Sequence, residues 1–76
     1  MTHLSPIRPP GQACIDRLDR LDQGRWLMTV EASQQMGYAQ SNPAVLLMLA
    51  HFGLIEQHTV FSSDGITPLY FEWRRA

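Results

Sequence analysis

The apolar positions of this chain first follow a helical spacing between residues 12 and 22. Cys14, Leu18 and Leu21 recur at i, i+4 and i+7, which predicts an amphipathic helix with one buried face. Gly24 lies two residues after the end of this pattern at residue 22. We expect it to end the helix, since glycine is the residue that helices favour just past their last turn.

A second helical pattern begins at Thr29, a residue type that often caps the first turn of a helix. We predict a helix over residues 30–36, with Val30 on its inner face and Gly37 as its end. Together with the turn that follows, this element forms the first half of a helix-turn-helix arrangement.

A third helix is predicted over residues 43–52. Asn42 is a favoured cap and Pro43 costs no hydrogen bond at the first helical position, while Gly53 is the expected stop. Its buried stripe is expected to hold Val45, Leu46, Met48, Leu49 and Phe52.

The opposite face of the third helix is unusually apolar for a surface. Contiguous exposed apolar patches mark interaction sites, so we interpret this face as a candidate protein interface. Its residues are Ala44, Leu47, Ala50 and His51.

Two strands, over residues 54–61 and 66–73, are predicted around the loop 62–65, whose Asp-Gly pair is a strong hairpin signal. A shorter extended piece at 25–28 precedes the second helix. Pro68 indicates an edge strand, or at least a position where no N–H is needed. The register stays open, since a two-residue and a four-residue loop both fit.

The predicted order is helix, short strand, helix, helix, strand, strand, which makes a small α+β fold: three helices with a C-terminal β-hairpin. Residues 12–76 form this single domain. Residues 1–11 contain three prolines and a glycine, so we expect a flexible tail there.

The span 29–55 resembles the helix-turn-helix of bacterial winged-helix regulators of the ArsR, MarR and Lrp kind. The matching positions are Thr29-Val30-Glu31, Gly37, Ser41 to Val45, Leu49 and Phe52-Gly53-Leu54-Ile55. The resemblance implies a winged helix-turn-helix whose third helix enters the major groove of double-stranded DNA.

The same resemblance places candidate DNA-reading residues at the start of the third helix, and the arginines add candidate phosphate contacts. The function it implies is that of a small bacterial or phage transcriptional regulator that binds DNA as a dimer. The candidate DNA-binding residues are Gln40, Ser41, Asn42, Ala44, Arg25, Arg74 and Arg75.

The chain also resembles the small winged-helix accessory proteins of the bacterial ferrous-iron transporter. A Gln-Ser-Asn-Pro-like opening of the third helix and the ending Phe71-Glu72-Trp73-Arg74-Arg75 carry this likeness. It implies docking on a larger protein. Many of those proteins have a cysteine cluster in the wing, and this chain has none there, so an iron–sulfur centre is not supported.

The charge of the chain bears on whether its partner is DNA or a protein. The net charge is −1, lysine is absent, and the cations are six arginines. Affinity for nucleic acid comes mostly from Lys and Arg neutralising phosphates, and the predicted wing tip instead carries Asp64. A protein interaction module, self-associating or docked on a partner, is therefore the alternative to a DNA-binding regulator.

The cysteine and histidine content gives no sign of a disulfide or a metal site. One cysteine, Cys14, forms no disulfide within the chain, and the three histidines are too scattered for a clear zinc site. We expect no enzyme activity, cofactor or metal. No apolar run reaches the ~18 residues that span a membrane, and the N-terminus lacks a signal peptide, so we expect a cytoplasmic protein.

Overall fold

The computed structural model describes residues 9–76. It contains three helices and a three-stranded antiparallel sheet, so the prediction of a small α+β domain is confirmed. Most of the predicted tail, including Arg8, lies outside the described residues. The elements are α1 (Gln12–Arg17, continued by a 3₁₀ turn, Leu18–Arg20), β1 (Leu27–Met28), α2 (Thr29–Gln35), α3 (Pro43–His51), β2 (Ile55–Phe61) and β3 (Pro68–Arg75).

The first helix is shorter than predicted, and Gly24 does not end it. Leu21 already has extended backbone angles, φ −73° and ψ 135°, directly after the 3₁₀ turn. The backbone N–H of Asp22 then donates to the side-chain oxygen of Gln35 at 2.9 Å, which ties the chain to α2. Leu18 and Leu21 are nevertheless buried, as their spacing predicted.

Helix α2 begins one residue before its predicted start. Thr29 is its first helical residue rather than its cap, and the residue before it, Met28, makes no capping hydrogen bond with its side chain. The buried face contains Ala32 and Met36, whereas Val30 is 52% exposed. Placing Val30 on the inner face was therefore wrong, since it lies more than 100° around the helix from the centre of that face.

Helix α3 begins and ends as its local sequence predicted. Asn42 is the cap, and its side-chain oxygen accepts from the backbone N–H of Val45 at 3.4 Å. At the other end Gly53 has a φ of 74°, and the N–H of Leu54 donates to the carbonyl of Leu49 at 3.0 Å. Phe52, predicted to be buried, is 37% exposed because it lies beyond the last helical residue.

The sheet has the order β1-β3-β2, so β3 is the central strand. Of the two predictions for Pro68, that it marks an edge strand was wrong, and that it lies where no N–H is needed is confirmed. Pro68 instead lies beyond the two residues of β3 that β1 pairs, Glu72 and Trp73, so no ladder bond needs its N–H. On the other side Pro68 pairs with Phe61, and Leu69 is an extra residue between that pair and the next.

The hydrophobic core lies between the helices and one face of the sheet. Trp73 of β3 is its largest buried side chain at 1% exposed. Cys14 of α1 is partly buried and packs against this core. Within residues 9–76 no helix is both long and apolar enough to cross a membrane. The core residues are Leu18, Leu21, Leu27, Ala32, Met36, Leu46, Leu49, Ile55 and Trp73.

Candidate functional site

The start of α3 presents three of its four candidate DNA-reading residues to solvent. Gln40, Ser41 and Ala44 are exposed. Asn42 is half-buried and already engaged, since its side chain caps α3 and its backbone N–H donates to Ser33 Oγ at 2.9 Å. Gln40 and Ser41 are therefore the polar side chains that this end of α3 offers to a ligand.

A chain of hydrogen bonds that the sequence did not predict holds this end of α3 in place. The indole Nε1 of Trp73 donates to Thr29 Oγ1 at 2.9 Å. Ser33 Oγ donates to the carbonyl of Thr29 at 2.7 Å and accepts from the N–H of Asn42. The central sheet strand, α2 and the cap of α3 are thus linked through four residues.

Arg25 is held by carboxylates on both sides. Its guanidinium lies 2.7 Å from Asp22 Oδ2 and 2.9 Å from Glu31 Oε2. The hydrogen bond from Arg25, with a second from Gln35, lowers the pKa of Asp22, and the two carboxylates, Glu31 first, raise the pKa of Arg25. This arginine is therefore neutralised within its own chain.

The two candidate arginines at the C-terminus are also paired. Arg74 contacts Glu56 Oε2 at 3.0 Å and lies over the ring of Trp26, 4.4 Å from its centroid. Arg75 contacts Asp19 Oδ1 at 2.9 Å. All three arginines proposed as phosphate contacts thus have acidic partners, which a phosphate would have to displace.

The other two described arginines lie beside the turn between α2 and α3. The guanidinium of Arg17 lies 4.7 Å from the centroid of the Tyr38 ring. That of Arg20 packs so closely on Gly37 that a Cβ there would meet it at 2.5 Å. Gly37 also has a φ of 92°, a backbone conformation that favours glycine, whereas the Arg20 side chain could move aside.

Asp64 at the hairpin tip organises its own loop. Its carboxylate accepts from the Ser62 hydroxyl, from the backbone N–H groups of Ile66 at 2.8 Å and Thr67 at 3.0 Å, and from Thr67 Oγ1 at 2.8 Å. These bonds, with that of Ser62 foremost, hold the pKa of Asp64 well below its usual range. The hydrogen bonds of Asp64 within its own loop therefore explain why an acidic residue stands there.

The outer face of α3 is exposed at three of its four predicted positions. Leu47 is 48% exposed, and Ala44 and His51 are also exposed. Ala50 is half-buried and packs against the core, so it contributes less to this face than the spacing predicted. Leu47 is the one large apolar side chain that remains here.

A larger apolar surface lies elsewhere, in a cleft of about 530 Å³ between α2 and β3. We call it the α2–β3 cleft. Its apolar walls are well exposed, with Met28 and Val30 at 52%, Phe71 at 43% and Tyr70 at 41%. The run Leu69-Tyr70-Phe71, apolar on both faces of a strand, is the sequence signal for this surface. The lining residues are Met28, Thr29, Val30, Glu31, Gln34, Tyr70 and Phe71.

On the outer face of the sheet, His58 contacts a carboxylate and an aromatic ring. His58 lies 2.9 Å from Glu72 Oε1, and its ring meets that of Trp26 with centroids 3.9 Å apart. Over residues 9–76, no three His, Cys, Asp or Glu side chains converge to hold a metal ion.

Comparison with protein-family models, curated proteins and solved structures gave no match. The role of this chain is therefore inferred from its own side chains. Two surfaces stand out for that purpose: the exposed start of α3, and the α2–β3 cleft.

Proposed function

We propose that this chain is a winged-helix interaction module that docks on another protein through the α2–β3 cleft. The exposure of four large apolar side chains in one concave surface carries the proposal. Contiguous exposed apolar surface rimmed by polar residues marks protein interaction sites and ligand grooves. These side chains are Met28, Val30, Tyr70 and Phe71.

The order of the elements supports the winged-helix assignment. A short strand, two helices joined by a turn and a C-terminal hairpin follow α1, and β1 pairs with β3 rather than with β2. This is the arrangement that the resemblance to bacterial regulators implies. The fold alone does not choose between DNA and protein as its partner.

The arginines favour a protein partner. Arg25, Arg74 and Arg75 each contact a carboxylate within 3.0 Å, and no residue of α3 is an arginine or lysine. A DNA-binding module depends on cations that are available to phosphates. Here Arg25, Arg74 and Arg75 serve ion pairs inside the domain.

The cleft also indicates the chemistry of what it binds. Glu31 is the one ionised side chain in its lining, and Arg25 already neutralises it at 2.9 Å. The site therefore offers apolar contact and little charge, so we expect the partner to insert uncharged apolar side chains. We place this docking in the cytoplasm, where a lone thiol such as Cys14 stays reduced.

Photocrosslinking tests the proposal. A benzophenone side chain at Phe71 should crosslink one reproducible protein in cells, and Val30→Glu should abolish the product. The matched control is the same group at Phe52, another exposed aromatic that lies outside the cleft. Equal crosslinking from both positions, or none from Phe71, would contradict docking at the cleft.

DNA binding is the second candidate, and one observation favours it. Gln40 and Ser41 are exposed at the start of α3, the position from which such helices read bases. Gln is suited to adenine. Fluorescence polarisation with a pool of duplexes at low salt tests this: saturable binding that Gln40→Ala weakens would establish it, and no binding at micromolar concentrations would dismiss it.

A further inference from the structure

Strand β2 ends the sheet, so one of its sides has no neighbouring strand among residues 9–76. Two flanking hydrogen bonds show which residues face β3: the Leu54 carbonyl accepts from Ala76 N–H at 3.3 Å, and Ser62 N–H donates to the Thr67 carbonyl at 2.8 Å. Leu54 and Ser62, which flank β2 at its two ends, are both even-numbered. Backbone direction alternates along a strand, so the odd-numbered residues point N–H and C=O at the free side. These are Ile55, Gln57, Thr59 and Phe61.

This free side lacks the features with which proteins normally protect an edge strand. β2 has seven residues and no proline, and the chain has no lysine. The extra residue of the hairpin, Leu69, is in β3 and leaves β2 regular. Glu56, the one carboxylate of β2, pairs with Arg74 of the adjacent strand. An edge of this length and regularity is a template for adding a strand.

We propose that β2 pairs in antiparallel fashion with β2 of a second copy of this chain, around a two-fold axis at His58. The two three-stranded sheets would then join into one of six strands. No residue of β2 lines the α2–β3 cleft, so the dimer and the docking function can be tested independently of each other.

This register uses the whole free edge of β2. Ile55 lies opposite Phe61 of the second copy, and Gln57 lies opposite Thr59, so every odd-numbered residue finds a hydrogen-bonding partner. A two-fold axis at Gln57 or at Thr59 would leave one end of the free edge unpaired. A closed, isologous contact of this kind uses the free edges of both β2 strands, so no β2 edge is left for a third copy.

The side chains agree with the same register. Phe61 is 49% exposed in the single chain, so the new pair would cover apolar surface there, whereas Ile55 is already buried in the core of its own chain and would contribute its backbone. Glu56 lies opposite Val60 of the second copy, so no two carboxylates face each other across the new pair.

Sedimentation equilibrium of the full chain tests the dimer with a matched pair of variants. Gln57→Pro removes one edge N–H and no bond to β3, whereas Gln57→Ala keeps it. We expect dimers for the native chain and Gln57→Ala, and a monomer for Gln57→Pro with an unchanged circular dichroism spectrum. A native chain that stays monomeric up to millimolar concentration, or a folded Gln57→Pro that dimerises equally well, would overturn the proposal.

Amide hydrogen exchange decides the matter even if the proline variant fails to fold. The amides of Glu56, His58 and Val60 face β3 and should be protected at every concentration. Those of Gln57, Thr59 and Phe61 should gain protection only as concentration rises. Fast exchange of these three at high concentration rules out the pairing.

A disulfide tests the register. In a Cys14→Ser background, His58→Cys places two thiols in a non-hydrogen-bonded pair, whose Cα atoms lie about 4.5 Å apart, within the ~4.4–6.8 Å that a disulfide needs. Mild oxidation should link two copies. Glu56→Cys in the same background should not, because it faces Val60. Linkage through position 56 rather than 58 would refute the axis at His58.

Discussion

Trp73 Nε1 donates a hydrogen bond to Thr29 Oγ1 at 2.9 Å, joining the central strand of the sheet to the first turn of α2. The two residues are 44 positions apart in the chain. Ser33 extends this link to the backbone of Asn42, the cap of α3. Strand β3 and the start of α3 are therefore positioned by one set of bonds.

This bond should appear as a coupling energy between its two residues. Trp73→Phe and Thr29→Val each remove one partner, and the double variant removes both. In a double-mutant cycle measured by urea unfolding, we expect a coupling of about 1 kcal/mol. Strict additivity of the two single effects would show that the bond contributes nothing.

Ser33 should be costly to replace although it is small. It is fully buried, donates to the carbonyl of Thr29 and accepts from the N–H of Asn42. Ser33→Ala leaves that N–H without its partner, so we expect a loss of about 1–3 kcal/mol in the free energy of unfolding. Ser63→Ala, the same change in the exposed hairpin loop, should stay within about 0.5 kcal/mol and serves as the control.

Two adjacent leucines of α3 should behave oppositely. Leu46 is 1% exposed and Leu47 is 48% exposed. Leu46→Ala should lower the free energy of unfolding by about 2–5 kcal/mol, because it leaves a cavity. Leu47→Ala should change it by no more than about 0.5 kcal/mol. Similar losses at both positions, measured by urea unfolding, would show that the face assignment of α3 is wrong.

The loop around Asp64 should weaken in acid. Its hydrogen bonds, first that from the Ser62 hydroxyl, depress the pKa of the folded carboxyl below the unfolded value near ~3.9. The stabilisation is therefore complete above that value and is lost as the pH falls toward the folded pKa.

Asp64→Asn removes the charge and gives the matching test. The Tm difference between the native chain and this variant should be largest near neutral pH and should shrink steadily as the solution is acidified. Thermal unfolding across the acid range measures it. A difference that is independent of pH would mean that the charge of Asp64 plays no part in the loop.

The sequence was most informative where structure depends on neighbouring residues. Asn42 and Pro43 begin α3 and Gly53 ends it, as their local preferences predicted. Thr29 was misassigned as a cap because its partner, Trp73, lies at the far end of the chain. No local pattern reveals a contact between residues so distant.

The candidate site was predictable to a smaller extent for the same reason. A count of cations could not show that Arg75 pairs with Asp19, which is 56 residues away. The α2–β3 cleft likewise forms only when Val30 of α2 and Phe71 of β3 are brought together. The spacing on α3 did predict that Leu47 would be exposed.

The affinity of the protein that crosslinks at Phe71, measured by titration calorimetry, tests the central claim most directly. Val30→Glu places a charge in the apolar cleft, whereas Gln40→Ala alters the start of α3 and leaves the cleft intact. We expect Val30→Glu to weaken binding at least tenfold, which is about 1.4 kcal/mol, and Gln40→Ala to leave it unchanged. Binding that survives Val30→Glu but is lost in Gln40→Ala would contradict the account.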